Sequence, residues 1–148
     1  MSASKTRLRL WLRLLKLTRG IETDLRDNLR KDFATTLPRF DVMAALDRFP
    51  DGLKMSQLSE VLRVSNGNVT GIVDRLVEEG FVTREPVEGD RRAFRVRLLP
   101  QGQDEFARQA RAHESWIDAH LSEIPEDRAL RLIALIDEME QEDGADAQ

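Results

Sequence analysis

A mainly α fold with one small β-hairpin follows from three features of the 148-residue sequence. Apolar residues recur every three or four positions over long stretches near both ends, as one face of a helix requires. Aromatics are only 5% against a hydrophobic content of 41%, which suits helices packed on Leu, Val and Ile better than a β-sandwich. One stretch, residues 81–99, alternates apolar and polar side chains around a Pro/Gly/Asp segment, as a hairpin does. The length fits one domain, 1–148.

The first element is a long helix from about Lys5 to Phe33, with Leu10, Leu14, Leu17, Ile21, Leu25 and Leu29 on one face. Arg7 to Arg13 also alternates with period two, but the Leu14–Leu15 doublet breaks that strand signal. Leu8, Leu12 and Leu15 add a second apolar stripe. A helix apolar on two sides needs two neighbours, which hints at a dimer interface. Thr36 or Leu37 then caps a second helix, with Pro38 at its first position, where a missing N–H is harmless. That helix runs to about Phe49 with Phe40, Met43, Ala44 and Leu46 inward, and Pro50-Asp51-Gly52 is a turn.

A short helix follows from Ser56 to Leu62, carrying Val61 among its apolar residues. Ser65 is a good N-cap for the next. Val69, Ile72, Val73, Leu76 and Val77 form that helix's inner face, and Gly80 supplies the left-handed residue that ends it. Two short helices joined by a three- to four-residue turn are a helix-turn-helix. The hairpin after it pairs Phe81–Arg84 with Ala93–Leu99 across a loop from Pro86 to Arg92, which makes a wing. Two helices close the chain. The first spans about Gln101 to Ile124, with Phe106, Ala110, His113, Ile117, Leu121 and Ile124 on one face. The second starts at Pro125 and carries Leu132, Leu135, Ile136 and Met139. The expected plan is a winged helix-turn-helix over 37–100 between flanking dimerisation helices at 1–36 and 101–141, with a frayed tail at 142–148.

Composition narrows the function. Without cysteine, the chain has no disulfide, thiolate zinc finger or thiol sensor. Arg9, Arg13 and Lys16 interrupt the apolar run of the N-terminus, and no small-residue cleavage site follows, so neither a signal peptide nor a membrane span is expected. A cytoplasmic protein fits, with an amphipathic membrane-surface helix as the lesser alternative. The net charge of −4 is unevenly spread: residues 1–31 carry +6 and residues 101–148 carry −9. A basic surface outside the last third is therefore allowed.

The helix opening at Ser65 exposes Asn66, Gly67, Asn68, Thr70 and Gly71 in its first turns. These side chains are short and uncharged, so the helix can enter a major groove about 12 Å wide and approach base edges. Asn pairs bidentately with adenine, and Thr meets a thymine methyl. The first-turn N–H groups can hold a phosphate, and Arg75 reaches the backbone. Ser56 and Gln57, on the preceding helix, complete this surface. Asn and Gly are also common at helix starts, so the segment alone does not decide. The wing adds Asp90-Arg91-Arg92 at a hairpin tip, where a long cation can reach a minor groove. Asp90 is expected to orient Arg92, with Arg91 and Arg84 on phosphates. The blander alternative is a solvated loop with a weak surface ion pair.

From Thr36 onward the motif order resembles the MarR family of bacterial transcriptional regulators. The matching stretches are LPRFDVMAAL, GLKMSQLSEVLRVSNGNVTGIVDRLVEEGFVTR and GDRRAFRVRLLPQG. They hold the family's second-helix Phe (Phe40), its Asp-Arg-Leu segment (Asp74, Arg75, Leu76), a closing Gly80 and an Asp-x-Arg wing (Asp90, Arg92). The likeness is strong over about residues 36–103. It implies a homodimer whose terminal helices interlock and whose two winged regions bind double-stranded DNA at a pseudo-palindromic operator. It also implies repression relieved by a small aromatic carboxylate, a related phenolic or an acyl-CoA thioester. Two departures stand out. Arg63 occupies a turn position that is often Gly, so it is strained if that site needs positive φ. Leu99 replaces the usual Thr cap, leaving Pro100 to start the following helix.

The resemblance places an effector pocket where the first, second and post-wing helices meet, with Trp11, Arg39, Phe40, Met43, His113 and Trp116 as candidates. The alternative is that these are core and interface residues. His113 and His120 lie seven residues apart on one helix face, too far to chelate one ion easily, so no metal and no cofactor are expected. A pH-responsive interface is a further use of these histidines. No nucleophile, base and phosphate-loop set is present, which points away from an enzyme. Two competing readings remain: a winged-helix module that binds an acidic protein, and a metal-responsive regulator.

Overall fold

The computed structural model describes residues 2–63 and 66–146, without the side chains of residues 66, 67, 142, 143, 145 and 146. It divides into two compact units, residues 1–115 and 116–148. Helix α1 (Ala3–Phe33) starts where the Ser2 hydroxyl accepts from the Lys5 N–H, and ends at Ala34 in the left-handed region with φ 52°. There the Ala34 N–H donates to the Arg30 carbonyl and the Thr35 N–H to the Leu29 carbonyl, which satisfies the last turn. Only Leu25 and Leu29 of this helix are buried. Leu8, Leu10, Trp11, Leu12, Leu14 and Leu17 are each about half exposed.

Helix α2 (Leu37–Asp47) is capped by Thr36, whose hydroxyl accepts from the Arg39 N–H, with Pro38 in the first turn. It stops two residues short of Phe49, which is itself exposed. The Gly52 N–H donates to the Phe49 carbonyl and closes the turn, at φ 92°. The chain then makes a strand that the sequence analysis missed, β1 (Leu53–Lys54). Two residues are too few to show alternation. Helix α3 (Met55–Leu62) follows and ends at Arg63, whose φ of 55° and ψ of 42° make it the strained residue anticipated for this turn.

Helix α4 (Asn66–Glu78) buries Val69, Val73 and Leu76 completely. The expected capping residue Ser65 lies outside the described residues. Ile72 is half-buried. Val77 and, on α3, Val61 are exposed, at the edges of stripes that bury fewer residues than the spacing predicted. Gly80 ends α4 at φ 79°, and the Phe81 N–H donates back to the Leu76 carbonyl. The core under α4 draws on Val42, Met43, Ala45 and Leu46 of α2 and Leu58 of α3. It also takes Leu53, Val82, Val96 and Leu98 from the sheet.

That sheet has three antiparallel strands in the order β1-β3-β2, from β2 (Val82–Val87) and β3 (Asp90–Leu98) besides β1. The wing therefore departs from the expected seven-residue loop. The strands run almost to the tip and turn through Glu88 and Gly89, with Gly89 at φ 84°. Glu88 is not among the positive-φ residues, so the turn is not one of the primed types whose twist matches the strands, and the ladder beside it is irregular. Pairing is regular to Pro86 opposite Phe94, then jumps to Val87 opposite Asp90, so Arg91, Arg92 and Ala93 bulge from β3.

Helix α5 (Pro100–Leu121) starts at Pro100, which takes the place of a cap. The division between the two units falls inside it. Helix α6 (Glu126–Asp146) lies in the second unit and continues past Gln141, where fraying was expected. Its Leu130, Leu132, Ile133, Leu135, Ile136 and Met139 are exposed.

The start of α5 is held against the end of the winged region by one close contact. The Leu99 N–H donates to the Phe81 carbonyl, and a Cβ at Gly102 would sit 2.0 Å from that same oxygen. Gly102→Ala is therefore expected to cost about 2 kcal/mol, in the range of overpacked cores. Urea unfolding of the variant checks this, and an unchanged midpoint would contradict the close approach.

Candidate nucleic-acid interface

Burying Val69, Val73 and Leu76 turns the opposite face of α4 to solvent. Asn68, Thr70, Gly71 and Arg75 all lie on that exposed side. Asn66 and Gly67 open the helix, but their side chains, like Ser65, fall outside the description. A Cβ built at Gly71 meets nothing within 4 Å, so packing in this chain does not require a glycine there. Glycine lowers helix stability by about 1 kcal/mol relative to alanine. The glycine leaves the middle of the exposed face of α4 open to close approach. Ser56 and Gln57 are exposed at the start of α3, and the Gln57 Oε1 accepts from the Lys54 N–H at 2.9 Å. Gln57 thus serves first as a helix cap.

The arginines of the winged region separate into two groups. Arg84 pairs with Asp74, tying β2 to α4. Arg97 pairs with Glu85 at 2.5 Å, and this partner raises its pKa. Arg95 donates to the Gly52 carbonyl at 3.2 Å. Arg75, Arg91 and Arg92, with Arg48 and Arg63 away from α4 and the wing tip, have no ion-pair partner among the described residues and are exposed. Arg84, expected on a phosphate, is thus engaged inside the chain by a carboxylate that no spacing rule links to it. The wing carboxylate also differs from expectation. Asp90 Oδ1 accepts from the backbone N–H of Arg92 at 3.0 Å. It orders the backbone of the bulge and leaves the Arg92 guanidinium unheld.

Of the candidate effector residues, Arg39 and Met43 line one cavity, and Phe40 and His113 stack on each other. Phe40 is buried and stacks on His113, with ring centroids 4.6 Å apart and an interplanar angle of 22°. It also contacts Phe106 at 5.5 Å. Met43 is wholly in the core, Trp11 is exposed, and Trp116 belongs to the second unit. Arg39 behaves differently. Its side chain is 14% exposed, it pairs with Glu79, and it lines two spaces. The larger is a groove of about 860 Å³ between α2 and α4, with Thr36, Asp41, Asn68, Gly71 and Arg75 in its wall. The smaller is a cavity of about 240 Å³, walled also by Phe33, Met43, Phe81, Glu105 and Gln109.

A model of the MarR family matches residues 35–93. The HTH-type transcriptional regulator PecS of Dickeya dadantii is 30% identical over 120 residues, covering 78% of this chain and 70% of PecS. A MarR family transcriptional regulator from Silicibacter pomeroyi superposes with a TM-score of 0.79 at 31% identity, covering 96% of this chain and 98% of that one. The chain belongs to the MarR family. As a MarR-family protein it is a winged helix-turn-helix, DNA-binding regulator of transcription. The fold is also that of an Escherichia coli MarR mutant complexed with operator DNA, with a TM-score of 0.78 at 20% identity, covering 94% of this chain and 99% of that one.

Among the described residues of this MarR-family chain, no three His, Cys, Asp or Glu side chains group as metal ligands. No helix among them is long and apolar enough to cross a membrane. Two ion pairs, Asp74–Arg84 and Arg39–Glu79, have no signal in the sequence, because each joins residues from different elements and no spacing rule links them. His113 offers a direct check on the packing of α5 against α2. Burial against Phe40 lowers its pKa below the usual 6.5. As pH falls below about 6.5, the unfolded chain binds a proton that the folded chain resists. The stability from the neutral ring is full above that pH and is lost as pH falls through the folded value. His113→Phe is expected to flatten the decline in urea midpoint between about pH 7 and pH 5. An identical pH slope in the variant would contradict this packing.

Proposed function

We propose that this chain is a homodimeric, cytoplasmic repressor that binds a pseudo-palindromic operator and is released by a small aromatic carboxylate or its CoA thioester. The observation that carries the reading is the placement of Arg75, Arg91 and Arg92. Like Arg48 and Arg63 they are exposed and without an ion pair among the described residues, but they alone of these lie on α4 and at the hairpin tip, the elements that carry the short polar face of Asn68, Thr70 and Gly71 and the wing. Cations that are not neutralised within the chain are available to phosphates, whose counterions they displace. In this reading Asn68 and Thr70 contact base edges, Arg75 and Arg91 contact the backbone, and Arg92 enters a flanking minor groove. Ser56 and Gln57 border the same surface, and the first turn of α4 approaches the duplex first. Arg84 acts through Asp74 by setting the wing against α4.

Dimerisation is supported by the apolar surface each unit exposes on its own. Leu8, Leu10, Leu12, Leu14 and Leu17 of α1, and Leu130, Leu132, Leu135, Ile136 and Met139 of α6, need cover that a second copy supplies. The charges agree. Residues 1–20 hold six Lys/Arg and no Asp/Glu, whereas residues 126–146 hold eight Asp/Glu and two Arg. A twofold assembly presents two α4 helices about one DNA turn, or a multiple, apart. The whole chain, 1–148, is the functional unit in this account. The effector reading rests on Arg39, a cation suited to a carboxylate, in the wall of a groove that also contains the DNA-facing Asn68 and Arg75.

Two substitutions separate base reading from phosphate contact. Asn68→Ala is expected to relax preference at one operator position by about 1–3 kcal/mol while leaving other positions unchanged. Arg92→Ala is expected to weaken binding most at A·T-rich flanks and to lower the salt slope by about one. Fluorescence anisotropy on operator variants over a salt series measures both. Equal losses for Asn68→Ala on every sequence, or no change in slope for Arg92→Ala, would reject these roles.

A further inference from the structure

Arg39 sits in the first turn of α2, where its N–H donates to the capping Thr36 hydroxyl. Its guanidinium reaches Glu79, the residue after the last of α4, whose own N–H still donates to the Arg75 carbonyl. This ion pair therefore fastens the start of α2 to the end of the recognition helix. Its geometry is incomplete. Glu79 takes Nη2 of Arg39, while Nε is buried and has no partner. A carboxylate binds a guanidinium best when its two oxygens take two N–H groups together. Glu79 makes one such bond and leaves the adjoining donor idle, at the desolvation cost of an unsatisfied buried group.

The two spaces flanking Arg39 differ in charge. The small cavity holds Glu79 and Glu105 besides Arg39, so it repels an anion. Glu105 is itself engaged, with Arg108 at 2.8 Å and the Gln109 amide at 3.3 Å. The large groove holds Arg39 and Arg75 against Asp41 alone, so it favours one. Val42, Leu62, Ile72 and Pro38 give its wall an apolar portion suited to a ring.

We propose that Glu79 is a built-in competitor for the effector's carboxylate. It holds Arg39 in the free regulator, and an aromatic carboxylate in the large groove takes Arg39 from it. Nε is buried in the Glu79-bound arrangement, so a ligand reaches Nε and Nη2 together only when the guanidinium turns away from Glu79. That turn unfastens the end of α4 from α2. The ligand class is that of the proposed function, and these features suit it: two donors for one carboxylate and an apolar wall for a flat ring. This inference rests on the carboxylate-effector reading above and adds the intramolecular contact that sets its threshold.

Calorimetric titration of the full chain with benzoate tests it, using Glu79→Gln, Glu79→Ala and Arg39→Met, each checked for folding by thermal unfolding. Both Glu79 variants are expected to bind benzoate about tenfold more tightly than the parent, the scale of one charge-assisted hydrogen bond. Arg39→Met is expected to abolish the binding. On an operator, the Glu79 variants should release at correspondingly lower benzoate. If Arg39→Met loses benzoate but neither Glu79 variant gains affinity, the competitor role is wrong and the carboxylate site stands. If the Glu79 variants show no saturable binding, or Arg39→Met binds like the parent, the carboxylate site fails and the competitor role fails with it.

Discussion

Helix α4 carries Val69, Val73 and Leu76 on one face, and the burial of those three side chains decides where the rest of the helix points. Each gives about 2 kcal/mol on leaving water, so rotating the helix to hide any other face would be strongly unfavourable. Asn68, Thr70, Gly71 and Arg75 are outward because these three are inward. The core that receives them is assembled from α2, α3 and all three strands, so the direction of the polar face is set by the whole winged region. The wing is fixed to the same frame, by β1 pairing on one side of β3 and by Arg84 of β2 meeting Asp74 of α4.

The division of labour among arginines turns this frame into a charged surface. Sequence composition shows a chain with net negative charge, which by itself speaks against nucleic acid. The structure resolves the conflict locally. Arg84, Arg95 and Arg97 are neutralised or hydrogen-bonded within the winged region, and Arg75, Arg91 and Arg92 are not. The bulge at Arg91–Ala93 gives two of these cations a place outside the regular pleat, where their direction is not dictated by alternation. The acidic residues of the last third lie mainly in the second compact unit.

Most of the helical plan was legible in the sequence, because burial of one face imposes a period that single residues cannot hide. The caps were legible too. Thr36, Pro38, Gly80 and Pro100 each sit where backbone chemistry places them, and Arg63 carries the positive φ that its position demands. The wing was read too loosely. Pro86 and Gly89 suggest a long loop, but the strands continue past Pro86 and only Gly89 belongs to the turn. Strand β1 was invisible, because two residues cannot show a period. The ion pairs of Arg39 and Arg84 were also out of reach, since their partners lie 40 and 10 residues away and meet only through packing. Phe40, Met43 and His113 are explained by the core and by stacking, and Arg39 keeps a buried donor without a partner.

The central claim is that α4 and the wing cations read one duplex from one side of a twofold assembly. Footprinting of the full-length protein on its operator, with hydroxyl radicals for the backbone and dimethyl sulfate for the grooves, tests it most directly. The account predicts two protected major-groove windows about one helical turn, or a multiple, apart, each flanked by minor-groove protection. A single unpaired window, or protection spread evenly along any sequence, would contradict it.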